Sequence, residues 1–197
     1  MISDSIIKSL FRTSPILKHY PYQVMLPLIK TKTLKPGEIL HREGEVDSNV
    51  YIIISGILKS YIHENNEKIL SLFFEAGDII TASPTNNEKN TVWETVEATT
   101  KTHLVYFEHE QFLNLYDSDA MMFSLYIESS KKTLLQHFQR HKNLLFKTAV
   151  ERYREFEKIM SNQLPYLSLK DIASYLNITL ETLSRLRNKK PNRRITY

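Results

Sequence analysis

Near the end of the chain, three side chains with hydrogen-bonding heads share one helical face: Glu181, Ser184 and Arg185. An arginine can donate two hydrogen bonds to guanine O6 and N7, and a glutamate can accept one from cytosine N4, so the trio matches what a major groove displays. Thr179, Thr182, Arg187 and Asn188 stand around it, followed by Lys189 and Lys190, with Arg193 and Arg194 beyond. A run of cations without an acid suits phosphates. The expected contact set for duplex DNA is therefore Thr179, Glu181, Thr182, Ser184, Arg185, Arg187, Asn188, Lys189 and Lys190. The competing explanation is an ordinary two-helix corner with a solvated basic end.

Positioning such a set needs two helices and a sharp turn, and residues 168–190, SLKDIASYLNITLETLSRLRNKK, read that way. Ser168 caps a first helix, with Asp171 three residues on as a capping box with a shortened acid. Ile172, Ala173 and Leu176 form its apolar side, and Ala173 is small enough for a close helix crossing. Asn177 marks the turn, since asparagine tolerates a left-handed backbone. Ile178 packs inward, Thr179 caps a second helix, and Leu183 and Leu186 face the core. Leu180 is left outside with the polar set. Together these features predict a helix-turn-helix.

The rest of the 197 residues must supply what this unit is attached to. Residues 1–139 carry 13 Lys/Arg and 17 Asp/Glu, a net −4, and residues 140–197 carry 13 and 5, a net +8. A basic end behind an acidic body suggests a nucleic-acid module joined to something else. There is no cysteine, which removes disulfides, iron–sulfur clusters and cysteine zinc sites. No run is apolar enough to span a bilayer, and the start lacks the order of a signal peptide, so a cytoplasmic protein without a membrane partner is expected.

Short β-branched and aromatic runs alternate with turn residues from Lys30 to Phe107 and predict strands near 31–34, 38–41, 51–55, 57–63, 68–74, 78–81, 91–97 and 102–107. The four glycines, Gly37, Gly44, Gly56 and Gly77, all fall between them. Many short antiparallel strands imply a small barrel or roll, and SPTNNEKN, 83–90, reads as a loop on it. Positions 120, 123, 127, 130, 134, 137, 141 and 144 then follow a heptad spacing on one long helix. Phe123, Ile127, Leu134, His141 and Leu144 are its expected dimer contacts. A further amphipathic helix is expected over 148–160, with Val150, Tyr153, Phe156, Ile159 and Met160 inward. The fold class is α+β: an N-terminal antiparallel β-roll of jelly-roll type with N-terminal helices (1–117), a long dimerisation helix (118–146) and a C-terminal helix-turn-helix domain (147–197).

The order of roll, long helix and helix-turn-helix resembles the cyclic-AMP receptor protein / fumarate–nitrate reduction regulator family, Crp/Fnr. The residues that carry the resemblance in the roll are Pro36-Gly37-Glu38, Gly44-Glu45, Tyr51 to Gly56 and Gly77-Asp78-Ile79-Ile80. Those in the C-terminal part are Glu151-Arg152-Tyr153, Asp171 to Leu176 and Glu181 to Arg185. The resemblance implies a transcription regulator, a homodimer paired through the long helix, and two recognition helices reading a palindromic duplex. It also implies that Glu181, Ser184 and Arg185 read bases, and it leaves room for RNA polymerase and an unidentified small-molecule effector as further partners.

The chain departs from the family at two places. Cyclic-AMP-binding members carry a phosphate-binding Glu after the Gly-Asp turn and an Arg-Ser pair in the next loop. Here the text runs Ile79 to Pro84 and Asn87 to Trp93 without an arginine. A phosphate would lack its bidentate partner, so no cyclic AMP and no other cofactor is expected. The effector pocket is instead expected at Phe74, Gly77, Asp78, Thr81, Ser83, Val92 and Trp93, favouring an uncharged or aromatic ligand or a collapsed pocket with none; the bland alternative is that Phe74 and Trp93 fill the roll's core. The chain also stops at Tyr197 without the family's wing hairpin. The seven histidines are scattered. His137 and His141 stand four apart on the long helix and read as polar seam residues rather than metal ligands. With no nucleophile–base pair or phosphate-cradling glycine loop, an enzyme is not expected. A ligand-binding or docking roll without sequence-specific DNA binding is the alternative function.

Overall fold

Strands in the first half bury consecutive side chains, as in Val50–Ile53 and Leu70–Phe74, and turn at glycine or asparagine, and they assemble into two antiparallel sheets. The computed structural model describes residues 26–65, 67–81, 91–108, 110, 111, 114 and 120–188, the side chains of 121, 122 and 125 apart. The expected N-terminal helices, the 83–90 loop with Ser83, and the tail from Lys189 onward lie outside the described residues. The strands are β1 (Lys30–Leu34), β2 (Ile39–His41), β3 (Val50–Ser55), β4 (Leu58–Glu64), β5 (Glu67–Phe74), β6 (Ile79–Thr81), β7 (Thr95–Ala98) and β8 (Thr102–Phe107). One sheet runs β1-β8-β3-β6 and the other β2-β7-β4-β5, and every pair is antiparallel. Leu34, Tyr51, Ile53, Leu58, Leu72, Phe74, Ile80, Val96 and Leu104 fill the space between them.

One expected strand is shorter than its text. β7 begins at Thr95, and Thr91 makes only an isolated bridge to Val46. Val92 nevertheless bonds from its amide to Glu45 O, so the segment is held by turn contacts rather than a ladder. Gly56 shows why glycine sits between β3 and β4: its φ is 102°, and an added Cβ would lie 2.4 Å from Thr102 Oγ1 and 2.6 Å from Lys101 O.

Later in the described residues come α1 (Ala120–Phe146), α2 (Ala149–Ile159), α3 (Leu169–Leu176) and α4 (Leu180–Asn188). α2 opens on a reciprocal capping box, Thr148 with Glu151. Its buried face is narrower than the sequence suggests. Tyr153 and Phe156 are buried and Met160 packs beside them, but Val150 and Ile159 are exposed. At about 100° per residue they fall on the two margins of a stripe centred between Tyr153 and Phe156. On α1 the exposed apolar row also departs from the expected one. It includes Phe123, Ile127 and Leu134 but continues through Phe138 and Leu145, 61% and 62% exposed, whereas Leu144 is half-buried. At about 100° per residue Leu145 returns in line with Ile127 five turns on, whereas Leu144 stands about 100° away, because a straight α-helix drifts from the heptad repeat.

The C-terminal helices pack directly on the roll. Ile57, Leu70 and Phe73 join Tyr153, Phe156, Leu167, Ile172, Ala173, Leu176 and Leu183 in one cluster. The contact falls on β5, the edge strand of its sheet, whose outer backbone groups would otherwise be unpaired. Ser174 Oγ accepts from Leu70 N–H at 3.0 Å and donates to Lys68 O at 3.0 Å. Arg140, from α1, donates to Leu70 O at 2.9 Å.

Candidate nucleic-acid interface and ligand cavity

The helix pair α3–α4 is shaped by local rules. Ser168 Oγ accepts from Asp171 N–H at 3.0 Å, which starts α3. Asp171 does not return a bond to the Ser168 backbone; its carboxylate takes the Ser168 hydroxyl at 2.7 Å and Lys59 Nζ of β4 at 3.0 Å. The acid is one methylene too short to reach back, so it serves as a tie to the roll instead. Asn177 ends α3 at φ 51°, ψ 57°, the left-handed region. Thr179 Oγ1 accepts from Thr182 N–H at 3.2 Å and starts α4. Ile172, Ala173, Leu176 and Leu183 are buried, with Ile178 and Leu186 packed at the margin.

Two arginines fasten the pair. Arg152 donates from Nε to Leu176 O at 2.9 Å, and from its terminal nitrogens to Lys147 O at 2.8 Å and Asn177 O at 3.3 Å. It therefore satisfies carbonyls that the end of α3 leaves open. Arg140 Nε donates to Tyr175 O at 3.2 Å, and its guanidinium lies 5.3 Å from the Tyr175 ring centre. Burial pulls the Arg140 side chain below the usual arginine range. Neither role was legible from residue spacing, because each acceptor is a backbone carbonyl distant in the chain. The motif Glu151-Arg152-Tyr153 was the only signal.

With this frame, Leu180, Glu181, Ser184, Arg185, Arg187 and Asn188 are all exposed on α4, Thr179 is exposed at its cap and Thr182 is half-buried. Glu181 is held below the ordinary carboxylate range by its own backbone amide and by the Thr179 hydroxyl, so it meets solvent as an ionised acceptor. Lys189 and Lys190 lie outside the described residues.

The expected effector residues divide. Phe74, Thr81, Val92 and Trp93 line one cavity of about 670 Å³ between the roll and α1, together with His41, Ile80, Val96, Glu94 and, from α1, Tyr126, Ser129, Ser130, Thr133 and His137. Among the described lining residues there is no lysine or arginine. Val92 is buried, but Trp93 is 60% exposed at the rim rather than in the core. Gly77 and Asp78 are elsewhere. The Asp78 carboxylate accepts from Glu75 N–H at 2.8 Å across its own turn and pairs with Lys132 of α1. It is committed as a turn cap and a helix anchor, which is why it does not face the cavity. Of the expected seam residues, His141 is exposed, Leu134 borders the cavity, and Leu144 lines a separate groove against α2 and α3.

Sequence reasoning missed one constellation. His41, 5% exposed, sets Nδ1 3.0 Å from Asp47 Oδ2, and the same oxygen accepts from Tyr51 O–H at 2.9 Å. Burial alone would raise the Asp47 carboxyl, but bonds from His41, Asn49 and Tyr51 outweigh it and hold the group below its ordinary range. The six-residue separation of His41 and Asp47 spans a loop, so no helical or strand period connects them. Among the described residues no group of three or more His, Cys, Asp or Glu gathers to hold a metal, and no helix is long and apolar enough to cross a membrane.

Comparison with known proteins bears on this arrangement. Residues 31–119 match the family model of the cyclic nucleotide-binding domain. By sequence, no curated protein gives a significant match. By structure, the chain is similar to FixK2 from Bradyrhizobium japonicum, with TM-score 0.74 and 21% identity over 81% of this chain and 83% of that one. It is similar to the c-di-GMP-responsive global regulator CLP from Xanthomonas campestris, with TM-score 0.69 and 16% identity over 85% and 88% of the two chains. A protein of Eubacterium rectale described as a transcriptional regulator of the crp/fnr family gives TM-score 0.68 and 16% identity over 87% and 86%. The chain is thus similar over residues 31–119 to the cyclic nucleotide-binding domain, and its described residues have the fold of Crp/Fnr-type regulators.

Proposed function

We propose that the chain is a Crp/Fnr-type transcription regulator that binds duplex DNA as a homodimer. The observation that carries this reading is the row Glu181, Ser184 and Arg185, exposed on a helix whose start and approach are fixed by Thr179 and the left-handed Asn177. α3–α4 is the helix-turn-helix, and the N-terminal turns of α4 enter the major groove. The division into roll (1–117), long helix (118–146) and DNA-binding unit (147–197) belongs to this reading. So do pairing through the exposed row of α1, backbone contacts by the basic tail, RNA polymerase as a later partner and a cytoplasmic location. The cavity between roll and α1 is the effector site. Its lining holds Glu94 and no described lysine or arginine, which favours an uncharged ligand over cyclic AMP. No cofactor is assigned.

Selection from a random duplex library should enrich a palindrome, and Arg185→Ala should weaken that site by about 1–3 kcal/mol while changing binding to random duplexes far less. A library without an enriched sequence removes the regulator reading and leaves a ligand-binding roll.

A further inference from the structure

Among the residues that line the cavity is a buried histidine, His41, paired with Asp47. Asp47 receives three hydrogen bonds: from His41 Nδ1 and the Tyr51 hydroxyl on Oδ2, and from the Asn49 backbone N–H on Oδ1 at 3.0 Å. A carboxylate so surrounded by donors, and held below its ordinary range, is ionised and can only accept. The shared proton therefore belongs to His41, and Nδ1 is its donor. The other ring nitrogen, Nε2, makes no bond to a described residue, and His41 lines the cavity. With Nδ1 held by Asp47, Nε2 is the ring nitrogen that can bond a molecule in the cavity.

Resting on the reading of this cavity as the effector site, we propose that the His41–Asp47 pair is its polar anchor and that the ligand is an uncharged aromatic alcohol. The ring of the ligand lies among Phe74, Ile80, Val92 and Val96, and its hydroxyl bonds to His41 Nε2. An anionic ligand would meet Glu94 with no described lysine or arginine to offset it. A hydroxyl both donates and accepts, so it satisfies Nε2 whether the ring is neutral or protonated. Aromatic ligands gain most from flat apolar walls, and the hydroxyls of Ser129, Ser130 and Thr133 on α1 border the same space for a second polar substituent.

The test uses the full chain with two shape-matched probes, p-cresol and p-xylene, titrated by calorimetry and by the fluorescence of the single tryptophan, Trp93. The wild-type protein should bind p-cresol saturably and about tenfold more tightly than p-xylene, the worth of one net hydrogen bond. His41→Leu should abolish that preference while p-xylene binding stays. Equal affinities in the wild type, or a preference that survives in His41→Leu, would overturn the anchor and leave the cavity as the ligand site. Failure of both probes to bind overturns the anchor and the effector-site reading together. If His41→Leu does not fold, nitrogen NMR of the wild-type imidazole decides. The His41 Nε2 resonance should move with p-cresol and stay with p-xylene, and an unmoved resonance refutes the proposal.

Discussion

Arg152→Ala is the most informative single perturbation of the helix pair. The guanidinium reaches three carbonyls, of Leu176, Asn177 and Lys147, at 2.9, 3.3 and 2.8 Å. Two of them close the end of α3 and the third lies at the entry to α2, so one side chain sets the angle between successive helices. A hydrogen bond to a charged group contributes about 1.5–3 kcal/mol. Arg152 is only half-buried, so water would recover part of each bond, and the longest of the three counts least. A loss of about 2–4 kcal/mol is expected, a large share of the roughly 5–15 kcal/mol that holds a domain folded. For a chain of this length, each kcal/mol corresponds to about 2–4 °C in Tm. Urea titration and thermal melting should both report the loss. Arg152→Lys should restore at most one carbonyl contact, because an ammonium is a point donor and not a fork. A change in the alanine variant below about 0.5 kcal/mol, the level of an ordinary surface substitution, would refute the clamp.

Three further outcomes follow from particular contacts. Ile127→Glu with Phe138→Glu should convert a dimer to monomers by light scattering without lowering Tm by more than a few degrees, since both side chains are exposed on α1; an unchanged mass would move the interface off this face. Gly56→Ala should cost more than about 3 kcal/mol in urea titration, because its Cβ would meet Lys101 O and the Thr102 backbone as well as the Thr102 hydroxyl, and a loss under about 1 kcal/mol would refute that packing. Stability should also fall in acid. Burial would raise Glu97, but Tyr61, Lys59 and Lys68 pull it below 4.5, and Asp47 is likewise held below 3.8. Both folded-state values lie under the unfolded ones, so their contribution is complete above about pH 5 and disappears as pH falls through the folded values. Asp47→Asn and Glu97→Gln should each flatten the acid limb of a stability–pH curve, and an unchanged limb would show that these ties do not set it.

How much of this was legible from sequence varies with the range of the interactions. The caps at Ser168 and Thr179, the left-handed Asn177 and the glycines between strands depend on a residue and its near neighbours, so the text predicts them. The Thr148–Glu151 box was equally local and equally readable, as a Thr-x-x-Glu before an apolar run. The row on α1 was half legible: its existence follows from periodicity, but its register depends on the accumulated drift of a 3.6-residue helix. Phe74, Thr81, Val92 and Trp93, grouped from the sequence, line one cavity, whereas Asp78 caps its own turn, a role that looks like a ligand carboxylate in sequence. His41 with Asp47, Arg140 and Arg152 escaped because their partners are set by how loops and helices are laid over one another.

Long-range ties of this kind connect the parts of the molecule. Lys59 on β4 bonds both Glu97 on β7 and Asp171 on α3, at 3.2 and 3.0 Å. Arg140 on α1 bonds Leu70 O on β5 and Tyr175 O on α3. Lys132, two turns earlier on α1, pairs with Asp78 at the turn before β6. α1 is thus tied at one point to the roll and at another to both the roll and the helix pair, while Ser129, Thr133 and His137 of the same helix border the cavity. Any ligand that shifts or rolls α1 works against Lys132–Asp78 at one end and Arg140 at the other. A displacement of α1 by one ångström would stretch a 2.9 Å hydrogen bond beyond useful length. A coupling between an occupied cavity and the exposed face of α4 is expected to run from α1 to Arg140, from Arg140 to the Tyr175 carbonyl, and from α3 through Asn177 to the start of α4. Arg140→Lys, which keeps the charge but loses the fork, should leave ligand affinity near that of the wild type and reduce the effect of p-cresol on duplex affinity. Equal coupling in wild type and variant, measured by duplex titration with and without the ligand, would exclude this route.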